Sequence, residues 1–171
     1  MKFLKLALAT AAIASFASTA SAQDSGVYTN IGVDAYEFDA YAIGVKLGYD
    51  VNEYFAVEGQ GAFGVVDDKE TIGGTEFKAG VDYAIGAFGV LKAPLSPQVD
   101  IFARAGYQLT EISASGGGAN VSGNFDGIAV GAGLQYLFNG VNGVRAEYTY
   151  LDLPDDAGNG NVFSVSYVHK F

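Results

Sequence analysis

The sequence predicts an all-β fold: an eight-stranded antiparallel up-and-down transmembrane β-barrel, preceded by a cleavable signal peptide. Three observations predict it. Large apolar residues alternate with small or polar ones at a period of two, which a helix would not sustain. Charged residues make up only 16% of the 171, against roughly 25% in soluble domains, yet past the N-terminus no apolar run reaches the roughly 18 residues of a membrane helix. Finally, the sequence ends on an alternating aromatic stretch, NVFSVSYVHKF, where a soluble domain would end in a frayed polar segment.

The opening segment, MKFLKLALATAAIASFASTASAQ, has the three-part order of a secretory signal. Lys2 and Lys5 supply the basic start, Leu6 to Phe16 the short apolar run, and Ala20-Ser21-Ala22 the small-residue cleavage site. Cleavage is expected between Ala22 and Gln23, leaving residues 23–171 as the barrel domain. Without Lys2 and Lys5 the mature chain carries seven basic against 19 acidic side chains, a net charge of −12. That acidity argues against a nucleic-acid partner, which needs a basic face. Cysteine is absent and His169 is the single histidine. Neither a thiolate metal site nor a cofactor is expected.

The mature sequence divides at seven breaks into eight strands of about 9 to 15 residues. The first break falls near Phe38-Asp39-Ala40. After it, YAIGVKLGY sets Tyr41, Ile43, Val45, Leu47 and Tyr49 against Ala42, Gly44, Lys46 and Gly48. Asp50 to Glu53 is a turn. In YFAVEGQGAF, Phe55, Val57 and Phe63 oppose Glu58 and Gln60. The polar stretch Asp67 to Thr75 is a loop. FKAGVDYAI then sets Phe77, Val81, Tyr83 and Ile85 against Lys78, Gly80 and Asp82. Pro94 to Pro97 is a turn. FARAGYQL opposes Ala103, Ala105, Tyr107 and Leu109 to Phe102, Arg104, Gly106 and Gln108. The Gly-rich stretch Ser115 to Gly123 is expected to be a mobile loop, and it lacks the ending of a phosphate-binding P-loop. Asn139 to Gly143 is a turn. GVRAEYTYL sets Val144, Ala146, Tyr148 and Tyr150 against Arg145, Glu147 and Thr149. Pro154 to Asn161 is the last loop before the closing strand.

Alternation alone does not say which face is inside. A soluble carrier barrel turns its apolar face inward, and a membrane barrel turns it to lipid. The polar face here holds about one charge per strand among glycine, alanine and glutamine, too few for a solvated surface. Its mid-strand charges balance: Lys46, Arg104 and Arg145 against Glu58, Asp82 and Glu147. A closed lumen demands such pairing, because an unpaired buried charge is costly. With both termini on the periplasmic side, the aromatics also fall into two belts. Tyr49, Phe55, Tyr136, Phe138, Tyr167 and Phe171 gather at the periplasmic end. Tyr41, Phe63, Phe77, Tyr107, Tyr148, Tyr150 and Phe163 gather at the outer end, as at the two interfaces of a bilayer. The three long breaks lie at the outer end and the short turns at the inner end.

These features resemble the small outer-membrane β-barrel proteins of Gram-negative bacteria, the OmpA-like and OmpX-like group or porin family. VRAEYTYLDL, FSVSYVHKF and GAGLQYLF carry the resemblance, which covers the whole mature chain. It implies that Phe163, Tyr167 and Phe171 form a C-terminal signature read by the outer-membrane insertion machinery. It also implies a monomer in contact with outer-membrane lipid and lipopolysaccharide. The chain differs from full-length OmpA in stopping at Phe171, and His169 stands where an apolar or aromatic residue is more usual.

Catalysis is not expected. His169 lies at the periplasmic rim, Ser164 and Ser166 face the lumen, and a triad needs its base within hydrogen-bond reach of the nucleophile. The acidic outer loops, with Asp67, Asp68 and Glu70 in one and Asp152, Asp155 and Asp156 in another, lack EF-hand spacing. The expected function is structural or surface-interacting: envelope integrity or loop-mediated contacts, with a lumen plugged by ion pairs. A narrow passive channel is the alternative, and a soluble periplasmic ligand-binding barrel the third.

Overall fold

A computed structural model describes residues 26–37, 40–72, 75–116, 119–152 and 159–171; side chains are described for these except at 69, 70, 72, 75–77, 116, 119 and 120. The signal peptide, the cleavage site at Ala22 and Gln23, and the break at Phe38-Asp39 lie outside the described residues. So does most of the Pro154–Asn161 break.

Nine strands follow one another along the chain: β1 Val27–Tyr36, β2 Tyr41–Asp50, β3 Phe55–Val66, β4 Asp68–Ile72, β5 Thr75–Ser96, β6 Val99–Gly116, β7 Ala119–Leu137, β8 Asn142–Asp152 and β9 Asn159–Lys170. Every pairing is antiparallel between chain neighbours, except that β1 also pairs β9 and β3 also pairs β5. The sheet therefore closes on itself. β3 and β4 are two parts of one stave interrupted at Asp67, both paired with β5, so the barrel has eight staves. Closure leaves no free edge within the hydrocarbon, where an unpaired backbone group is costly.

The period-two pattern becomes an inside and an outside. On β2, Ala42, Gly44, Lys46 and Gly48 are buried while Ile43, Val45, Leu47 and Tyr49 are exposed. On β8, Arg145, Glu147 and Thr149 are buried while Val144 and Tyr148 are exposed. Charges lie inside and leucine outside, the reverse of a soluble barrel and the arrangement of a wall that faces lipid. Inward glycines make room for large lumen residues. A Cβ on Gly48 would sit 2.1 Å from the Tyr28 ring, and one on Gly133 2.5 Å from Phe102.

Exposed aromatics form two bands. Tyr49, Tyr54, Tyr136 and Phe138 lie at the end that carries the termini. Phe63, Tyr107, Tyr148 and Phe163 lie toward the other, distal end, with the hydroxyls of Tyr107 and Tyr148 donating to Asp126 and Asn161.

Two loop expectations are corrected. Within Ser115 to Gly123 all the described residues are strand: β6 runs to Gly116, β7 starts at Ala119, and Ser115 pairs with Asn120. Asp67 to Thr75 likewise contains β4, with Asp68 opposite Ala79. In both stretches backbone pairing holds residues of glycine-rich or acidic composition in strands.

Candidate functional site

Among the described residues the lumen is where charged side chains converge away from solvent, and it is built in layers. β3 shows the order: Ala56, Glu58 and Ala62 all point inward, and Ala56 and Ala62 belong to different apolar clusters. The cluster nearer the termini is Tyr28, Ala56, Val90 and Phe102. The distal cluster includes Tyr36, Ala62, Val81, Phe88, Leu151 and Val162. Between them lies an ionic layer.

Two carboxylates anchor that layer. Glu58 accepts from Arg145 Nη1 at 2.5 Å, from the Tyr28 hydroxyl at 2.7 Å and from Arg104 Nη1 at 3.3 Å. Glu147 accepts from Lys46 Nζ at 2.9 Å, Arg145 Nη2 at 2.8 Å and Thr149 Oγ1 at 3.0 Å, and Arg104 Nε lies 2.9 Å from it. Arg104 Nη2 donates to Gln60 at 2.6 Å. All five charged side chains are 2% exposed or less. Each arginine also stacks on an aromatic ring that borders the layer. Arg104 lies 3.8 Å above Phe88, on the distal side, and Arg145 3.7 Å above Phe102, on the terminal side. Guanidinium faces are weakly hydrated and stack on rings, so arginine can pair carboxylates in its plane and meet an apolar layer with its face.

The structure brings together Lys46, Glu58, Arg104, Arg145 and Glu147 and leaves out Asp82. A β-bulge between Val81 and Tyr83 adds one residue to β5, so the pattern slips by one. Val81, expected outside, is buried in the distal cluster, while Asp82 is exposed and accepts from Ser113 at 2.9 Å. The third buried carboxylate is Asp34 on β1, which accepts from Ser164 at 2.6 Å. Among the described residues three cations and three carboxylates are thus buried, but the ion pairs join the cations to Glu58 and Glu147 alone, and Asp34 is held by Ser164. The signal for Asp34 was available: Tyr28, Asn30, Gly32, Asp34 and Tyr36 alternate along β1 and all are buried.

At the terminal end, Asp50 ties β2 to β5 and β9 through Lys92 at 2.6 Å and Lys170 at 3.1 Å. Phe171 N donates to Val27 O at 2.9 Å, which continues the β1–β9 seam to the last residue. His169 lies 2.9 Å from Asn142, with its ring 4.7 Å from that of Phe171. Ser164 is five residues away on the same strand, about 16 Å at 3.3 Å per residue, and its hydroxyl is committed to Asp34. The histidine and the lumen serines are not one constellation. Among the described residues no group of His, Asp or Glu has metal-ligand geometry.

A closed eight-stave barrel with an apolar outer wall is matched by one family model, the outer membrane protein beta-barrel domain, over residues 6–171. This chain belongs to that family. It is therefore an integral β-barrel protein of the bacterial outer membrane. No curated protein sequence matches it, and its solved neighbours are distant. The crystal structure of Ail from Yersinia pestis, in complex with the heparin analogue sucrose octasulfate, is 20% identical at a TM-score of 0.61, covering 85% of this chain and 97% of that one. The N-terminal β-barrel domain of OprF from Pseudomonas aeruginosa is 13% identical at 0.62, covering 83% and 96%. The outer membrane enzyme PagL is 13% identical at 0.51, covering 84% and 99%. At these identities the likeness is one of fold, and the fold serves both an enzyme and proteins of other kinds.

Proposed function

We propose that this outer-membrane barrel is a sealed, non-enzymatic monomer that acts through its wall and its distal end. The observation that carries this reading is the ionic layer held between two apolar layers. An ion would have to displace paired charges and then cross side-chain hydrocarbon on either side, in a barrel whose eight strands leave an interior that side chains fill. The termini face the periplasm after cleavage at Ala22, and Phe163, Tyr167 and Phe171 serve as the signature for insertion.

The distal end then projects outward. β5, β6 and β7 have 22, 18 and 19 residues, against about 9 to 11 needed to span a bilayer. Glu37, Asp67, Asp82 and Asp152 are exposed there, with Glu111 and Asp126 half-buried. Ail was solved with a sulfated sugar; a polyanion is a poor match for this distal surface, which favours cationic partners or lipopolysaccharide bridged by divalent ions.

Planar-bilayer conductance of the refolded protein tests the sealed lumen. No steps are expected from the wild type. Stable, ion-selective steps would make the lumen a path and put the channel reading first.

A further inference from the structure

The distal extension has an inner face that lies above the seal. Directly paired residues of adjacent strands point to the same side of a sheet, so the ladders read as rows. Val81 of β5, Ile112 of β6 and Gly123 of β7 form one row, and Ile112 packs against the distal apolar cluster. One step further out, Asp68 of β4, Ala79, Ala114 and Val121 form a second. Phe125, opposite the buried Thr110, faces the same way. The described parts of the other staves stop short of these rows: β8 reaches only Ile128 on β7, and β2 begins opposite Val66. The rows therefore line a trough walled by β4 to β7 and open on the remaining side. Small residues leave it clear, and Val121 is 69% exposed. Three strand spacings make it about 14 Å wide, enough for a helix of about 10–12 Å with its side chains.

The charge along the trough has one sign. Asp68 is half-buried on the inner face, while Lys78, opposite Ser115, is on the outer one. Asp152 and Glu37 are exposed at the tips of β8 and β1, across the opening. Among the described residues no ion pair involves any of these three carboxylates. We propose that the trough docks a cationic amphipathic helix, its apolar stripe on Ile112, Val121 and Phe125 and its basic face toward Asp68 and Asp152. This rests on the outward orientation of the distal end and on the preference for cationic partners proposed above, and it adds an apolar floor and a shape. An extended segment would pair instead with the β7 edge at 119–127, where the described partners are all on β6, and would leave the floor bare.

The test uses refolded full-length barrel in phosphatidylcholine nanodiscs and two fluorescent peptides of the same leucine and lysine composition. One is patterned at the helical period and the other at the period of two. Binding is read by anisotropy against empty nanodiscs. The helix-patterned peptide is expected to bind the wild type severalfold more tightly than the other. Val121→Asp, alone and with Ala114→Asp, should weaken it about tenfold, the order of one apolar side chain left unburied, although each change adds negative charge. Both positions are exposed, and a heat-induced gel shift confirms folding. Asp68→Asn should weaken the same peptide by about twofold, as for a partly exposed pair. Tighter binding on adding the carboxylates, or loss only with Asp82→Asn and Asp126→Asn on the outer face, would overturn the trough and leave the acidic distal surface as the attraction. Equal binding of the two peptides would move the occupant to the β7 edge and equally overturn it. No binding of either peptide to the wild type would end both the trough and the preference for cationic partners.

Discussion

Arg145 shows why single residues matter so much in this lumen. Its guanidinium bridges Glu58 and Glu147 and rests on Phe102, so truncating it takes one cationic partner from each of two carboxylates buried away from water. Removing one partner of a buried pair typically costs about 3 to 5 kcal/mol. Arg145→Ala is therefore expected to lower the denaturant midpoint of the refolded barrel by that order, read from urea titration in detergent micelles. Lys92→Ala, which loses a partly exposed tie to Asp50 at 2.6 Å, should cost about 1 kcal/mol or less. If the two variants lose equal stability, the layer is not what holds the staves together. The glycines divide in the same way. A Cβ on Gly32 would lie 2.2 Å from the Val165 carbonyl oxygen, across the β1–β9 seam, whereas one on Gly59 meets nothing. Gly32→Ala should refold poorly and show little heat-modifiable band, while Gly59→Ala should refold as the wild type does.

Strands were legible in the sequence where alternation was strict. β2 shows it because every outward position is large and every inward one small or charged, and β8 because Arg145, Glu147 and Thr149 alternate with Val144, Tyr148 and Tyr150. Their burial patterns follow the period of two without a slip. On β5 the expected faces hold from Ala84 and Ile85 onward and fail at Val81 and Asp82, because a bulge leaves no mark that alternation can carry: one extra residue exchanges the two faces. The strand ends at Asp68–Ile72 and Ala119–Gly123 were misread for a different reason. Glycine and acidic residues weaken a strand only statistically, and backbone pairing from both sides outweighs that preference between Ser113 and Ser122. Asp34 was missed because β1 mixes its faces: Val33 is as buried as its inward neighbours. The closing strand carries its own expectation. Phe171→Ala should leave refolding in micelles intact while lowering the fraction assembled in cells, measured by heat-modifiability of outer-membrane fractions. Equal loss in both settings would make Phe171 a packing residue and not a signature.

Taken as one object, the molecule keeps its paired charges inside and a cluster of exposed acidic side chains at the distal end. The seal, too, is a property of the whole, since it has two chemistries in series. Arg104→Ala alone leaves the distal cluster of Phe88, Val81 and Leu151 in place and should conduct no more than the wild type. Arg104→Ala with Phe88→Ala removes a charge and the ring beneath it, and the pair is expected to leak in planar bilayers. Leak from the single variant would show that the charges alone close the lumen. The seam between β1 and β9 has a last consequence. Nine residue pairs join the first strand to the last, and the backbone of Phe171 donates to Val27. The ring thus has no privileged starting point. A chain opened at the β6–β7 tip, with its old ends linked, would enclose the same lumen yet finish on a different strand. Such a permutant separates two properties that the natural order keeps together, the ability to close and the ability to be recognised as closing.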